Sequence, residues 1–316
     1  MLATLQVILP AAIIVGAGYI AGKRVMDAAG IKALSDLVFF LFLPCLLFRA
    51  MATSTFDASD AALLGTYFGA TMLWFLCVVF FTRHQWKETT PAAIVLGITA
   101  VFSNTVQLGI PIQKLAFGEP GLKLHLSIIA IHALVIITTA TIWIEVWKAR
   151  QTAKSGQATS LAHNIALVVK GAVIHPVILP ILLGLVWSFA KLPLPVWFDQ
   201  PLGFLSSAAG PIMLVLMGAQ LSKMQLHAHL RTGITLMMFK NFMHPLIVYA
   251  ACWLMGLPPL YTAVAVVCAA LPTGVNAFLF AQRYRTNEDT VTAATALSSL
   301  AALISLTVAL ALVPKP

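Results

Sequence analysis

Charge is scarce in this sequence: Asp, Glu, Lys and Arg make up 9% of its 316 residues, where a soluble domain carries roughly 25%. The shortage excludes a solvated globular surface. Acids are the scarcer sign, ten against nineteen bases, and residues 91–117 and 260–281 hold none at all. The four cysteines, Cys45, Cys77, Cys252 and Cys268, fall singly in separate apolar stretches, without the paired spacing of metal or redox sites. His125 and His132 share a helix face, but no carboxylate or cysteine follows them at ligand spacing and no His-Glu-x-x-His pattern occurs, so neither metal nor cofactor is expected. No nucleophile with a base stands at one depth, which argues against an intramembrane enzyme. A basic leader is also missing, and the first apolar run is long enough to be kept as a spanning helix.

What the chain has instead is apolar length. It is 60% hydrophobic with a mean hydropathy of +0.94, the range of an all-α membrane protein. Runs of about 20 residues, the length that crosses a bilayer as helix, occur at 4–22, 31–52, 62–81, 91–117 and 122–147, then at 164–190, 200–221, 232–255, 260–281 and 290–312. Twelve Lys and Arg follow the odd-numbered spans and four the even-numbered ones. That alternation supports ten spans and predicts both termini outside the cytoplasm of a cell inner membrane. It also explains the net charge of +9 as a topology signal, so no nucleic-acid partner is expected; the lipid bilayer is the surrounding partner. The polar stretch 148–163 reads as a cytoplasmic linker between a first five-helix unit, 1–147, and a second, 164–316.

The halves share landmarks: Pro10 with Pro176, Pro44 with Pro211, Asn104 with Thr273 and Gln107 with Asn276, all at offsets of 166 to 169. Because five is odd, a duplicated five-helix unit would enter the membrane inverted, giving a 5+5 inverted repeat. Two matching spans carry helix-breaking patches. In the fourth, Gly109 and Pro111 accompany Ser103, Asn104, Thr105 and Gln107; a continuous helix would open at Pro111, whose ring meets the Gln107 carbonyl. In the ninth, Pro272 and Gly274 accompany Thr273 and Asn276. Broken backbone at membrane depth is tolerated only inside protein or beside a wet cavity, and paired breaks point to a transporter's binding site. Half-helix N-termini converging there would favour an anion.

The run Asn104-Thr105-Val106-Gln107-Leu108-Gly109-Ile110-Pro111, together with Leu271-Pro272-Thr273-Gly274, Phe278-Leu279-Phe280-Ala281 and Tyr284, resembles the two motifs of the auxin efflux carrier family. That family includes plant PIN proteins and bacterial permeases associated with malonate or malate, and the resemblance covers essentially the whole chain. One residue departs: Ala277 stands where plant members have a second proline, so auxin does not carry over. The resemblance implies a fold shared with bile-acid sodium symporters, in which spans 4 and 9 cross in a mobile domain built from spans 3–5 and 8–10. It further implies a scaffold of spans 1, 2, 6 and 7, through which relatives form homodimers, and an elevator-like movement of a small organic anion.

Four ionisable residues are candidates for coupling or for supplying charge: Asp36 about one turn in from the cytoplasmic end of span 2, Lys240 inside span 8, His175 before Pro176, and His244 before Pro245. Each has a plainer role open to it, as a capping group, a snorkelling stem or a partner for a freed carbonyl. The small residues Ser206, Ser207, Ala208, Ala209 and Gly210 would permit close helix approach. A sodium-coupled symporter of the same fold is the alternative function, and without acids in spans 4 and 9 it would have to hold its ion on carbonyl, amide and hydroxyl oxygens.

Overall fold

The computed structural model describes residues 2–53, 58–153, 177–223 and 230–313. His175, Pro176 and most of the 148–163 stretch lie outside them. Apart from one isolated bridge, the described residues form helices: α1 (Leu2–Arg24), α2 (Ala28–Leu37), α3 (Leu43–Ala52), α4 (Ala58–Gln85), α5 (Thr90–Val101), α6 (Ile110–Ala153), α7 (Ile178–Phe189), α8 (Val196–Leu221), α9 (Leu230–Met238), α10 (His244–Leu254), α11 (Pro259–Ala270), α12 (Asn276–Tyr284) and α13 (Glu288–Leu312). Among the described residues, five stretches are long and apolar enough to cross a membrane: Ala28–Ala52, Asp60–Gln85, Thr105–Lys148, Val196–Leu221 and Glu288–Leu312. Thr90–Val101, Ile178–Phe189 and Pro259–Ala270 are shorter and equally apolar. Large side chains such as Phe40 (71% exposed) and Phe204 (79%) face outward, the surface that lipid tails accept and water does not.

Prolines shape the helices less by ending them than by widening one turn. Val38–Phe42, Thr105–Gly109 and Phe239–Met243 are each a π-helical turn, and each is followed two residues on by a proline: Pro44, Pro111 and Pro245. Leu43 N–H donates five residues back to Val38 O, Gly109 N–H to Asn104 O, and His244 N–H to Phe239 O. One extra residue in the turn moves aside the carbonyl that the proline ring would strike. Pro111 therefore sits in the first turn of α6, and the chain leaves helical geometry several residues earlier, at Phe102. Farther along α6, Gly118 takes φ 64°, a left-handed value that glycine adopts without steric cost, and separates a short entry turn from the long helix.

α1 lies along α8, while α3 packs on α7 and α8; α4 packs on α5 and α10, α11 on α10 and α6, and α9 on α13. The α1–α8 crossing is reciprocal. A Cβ on Gly18 would strike the Val215 backbone, and one on Gly218 the Val15 backbone. The sequence placed close approach at 206–210 instead. There Ser206 and Ser207 donate to carbonyls of their own helix, at Gly203 and Phe204, and only Ala209 is buried. Glycine makes the tighter contact because it has no side chain to rotate away. At the other end of α8, Arg49 of α3 grips Asp199 with two bonds of 2.6 and 2.9 Å.

Candidate functional site

α5 ends where Phe102 turns extended (φ −75°, ψ 106°), and α11 ends where Leu271 does the same (φ −59°, ψ 151°). The two extended segments meet antiparallel. Asn104 N–H donates to Pro272 O and Gly274 N–H to Phe102 O, both at 2.8 Å, with Ser103 opposite Thr273. This exchange satisfies backbone groups that both helix ends leave open. It centres on Ser103 and Thr273, one residue from the Asn104–Thr273 correspondence read in the sequence, because register here is set by which carbonyl each N–H reaches. Gly274 is pressed against the other strand: a Cβ there would lie 3.0 Å from Ser103 O.

The chain beyond Ser103 is tied down from two directions. Asn104 Oδ1 accepts from Gln107 N–H at 3.2 Å and caps the π turn. On the long part of α6, His132 Nε2 accepts from Ser103 N–H at 3.3 Å, while His125 Nε2 donates to Thr105 O at 2.8 Å. The shared face of these histidines thus braces both ends of the opened segment. Gly109 is required beside them, since a Cβ would lie 2.5 Å from His125 Nε2.

Lys240 holds the other segment. It sits fully buried in the π turn between α9 and α10, and Nζ donates to Ala269 O and Leu271 O, both at 2.6 Å. A cation on the carbonyl end of α11 also faces the negative end of that helix dipole. Asn241 beside it donates to Ser298 O and Ser305 Oγ, and Thr273 N–H donates to Ser298 Oγ at 2.9 Å. The Thr273 hydroxyl is committed to Thr99 O at 3.0 Å.

In front of the crossing lies a cavity of about 630 Å³. Of the candidate binding residues it is lined by Ser103, Asn104, Thr105, Gln107 and Asn276, but not by Thr273. Asn276, the first residue of α12, makes no side-chain hydrogen bond among the described residues and so presents a free amide to the cavity. Lys240 and His244 do not reach it either. Lys240 is turned toward the carbonyls behind, and His244 Nε2 lies 3.1 Å from Thr71 Oγ1. Asp36 is half-exposed and ion-paired to Lys32 at 2.6 Å. Four polar lining residues were not candidates in the sequence reading: Ser35, Thr138, Gln220, whose Oε1 accepts from Gln107 Nε2 at 3.2 Å, and Arg283. Gln220 and Arg283 lie near helix ends, where a polar residue reads as ordinary interface.

The fold and site together define a helical membrane protein with a largely apolar cavity that carries a few polar side chains at a backbone crossing. Residues 3–310 match the family model described as membrane transport protein, and the chain belongs to that family, the auxin efflux carriers. It is similar to the "Putative malonate transporter" of Rhizobium meliloti (strain 1021), with 24% identity over 294 residues covering 92% of this chain and 89% of the relative.

Proposed function

We propose that the chain is a secondary transporter for a small organic anion, a mono- or dicarboxylate of the malonate kind, bound where the extended segments cross. The carrying observation is the cavity itself: carboxamides at Asn104, Gln107 and Asn276 converge there with the N-terminus of α12. Carboxamide donors and a positive helix end suit a carboxylate.

In this reading the chain makes ten spans as two inverted five-helix units, 1–147 and 164–316, joined by a cytoplasmic linker at 148–163. The reciprocal hydrogen bonds of the crossing are what a two-fold axis in the membrane plane would generate. Spans 1, 2, 6 and 7 form a scaffold through which two copies pair, and the rest moves as an elevator. Packing of α1 on α8 and of α3 on α7 and α8 supports the grouping. Both termini lie outside the cytoplasm of the inner membrane. The cavity runs to Ser35, Gln220 and Arg283 at the base-rich end of the helices, and so faces the cytoplasm. Sodium symport is disfavoured because the best-placed oxygens for a cation, the carbonyls of Ala269 and Leu271, already accept from Lys240.

Asn276→Ala is the cleanest test. It removes a donor to bound substrate without breaking a protein hydrogen bond, so malonate Kd should rise about tenfold to a hundredfold while the unliganded melting temperature stays unchanged. Asn104→Ala should weaken binding similarly and also cost about 1 kcal/mol of stability through its lost cap. Unaltered malonate affinity in both variants would remove the site from this crossing.

A further inference from the structure

The cavity contains one feature that a carboxamide site does not need. Arg283 is the only Asp, Glu, Lys or Arg among the described residues that line it. No carboxylate among the described residues lies within ion-pair distance of that guanidinium, which stands 5.7 Å from the centre of the Tyr284 ring. By contrast Arg49 pairs with Asp199, Lys32 with Asp36 and Lys148 with Glu145. Arg283 is exposed and lines the cavity, with its charge directed at no anion among the described residues.

Its register explains what it would meet. Arg283 stands seven residues after Asn276 on the same helix, two turns on and therefore on the same face, with about 10 Å of helix rise between the two backbones. Helical side chains lean toward the N-terminus, so an arginine at this position has the length to extend along the cavity wall toward a ligand held at Asn276. The wall between is apolar, with Leu279 and Phe280. A carboxylate held by the carboxamides at one end and a guanidinium at the other frame a space for a short chain with an anion at each end.

Building on the carboxylate site proposed above, we infer that Arg283 is the specificity-determining residue that reads a second carboxylate, so that the transporter selects short dicarboxylates over monocarboxylates. Guanidinium and carboxylate match as planar, two-pronged partners, and a charge-assisted pair is stronger than a neutral one.

The test compares malonate with malonamate, in which one carboxylate becomes an uncharged amide of nearly the same shape. Affinities are measured by calorimetry on the purified full chain at neutral pH. The wild type should bind malonate the more tightly. In Arg283→Gln malonate affinity should fall about tenfold while malonamate affinity moves by less than about twofold, and Arg283→Lys should keep much of the malonate preference. If Arg283→Gln still prefers malonate as the wild type does, or loses both ligands in parallel, the inference is wrong while the carboxylate site stands. A wild type that binds neither ligand overturns both.

Discussion

Lys240→Met is expected to lower the melting temperature sharply and to abolish malonate binding, although Lys240 lines no part of the cavity. The side chains are close in length, so the substitution mainly removes donors. Ala269 O and Leu271 O would remain buried without their 2.6 Å partner, and each orphaned acceptor costs about 1–3 kcal/mol. Those carbonyls lie at the point where α11 gives way to the extended segment that carries Pro272, Thr273 and Gly274. Loosening them releases the register on which Asn104 N–H meets Pro272 O. Lys240→Arg should fail as well, since the site is closed, with 0% of the residue exposed, and a planar guanidinium does not fit where a compact ammonium does. Melting curves with and without malonate decide the matter; wild-type stability in Lys240→Met would show that the lysine does not hold the crossing.

Gly218→Leu is expected to yield little or no monodisperse protein. A Cβ at Gly218 would already overlap the Val15 backbone, and backbone cannot rotate away as a side chain can. Overpacking of this kind costs about 3 kcal/mol or more when the obstacle is rigid. The α1–α8 crossing would have to separate, taking Gly18 from Val215 as it does. Gly16→Ala is the matched control, since nothing lies within 4 Å of a Cβ there and alanine favours helix. Size-exclusion profiles of the two variants should therefore differ completely. A well-folded Gly218→Leu would mean that the two helices are not in the close contact described.

Membrane location was legible because hydrocarbon enforces a simple rule: apolar side chains outward and backbone paired within the segment. The patches around Ser103–Pro111 and Pro272–Asn276 were legible for the same reason, since polar and helix-breaking residues inside an apolar run need an explanation. Asn104, Gln107 and Asn276 were singled out on that basis, and all three line the cavity. Less of the surrounding arrangement could be read. Lys240 was open to two readings, a charge offered to substrate or a stem reaching the interface, and its partners are carbonyls some thirty residues away in sequence. His125 and His132 showed their shared face without showing the Thr105 carbonyl and Ser103 N–H that they brace. Gln220 and Arg283 gave no signal, because polarity near a helix end is the ordinary condition of a membrane protein.

The sequence by itself determined the solvent of this protein, its helical class, its family and the two segments where regular backbone fails. Those properties follow from composition and from residue types within one local stretch. Tertiary structure alone decided that the segments cross at Ser103 and Thr273, that Thr273 and Lys240 face away from the cavity while Arg283 lines it, and that α1 and α8 touch through Gly18 and Gly218. Each depends on which distant carbonyl, backbone or side chain arrives within a few ångströms, and no local pattern encodes that meeting.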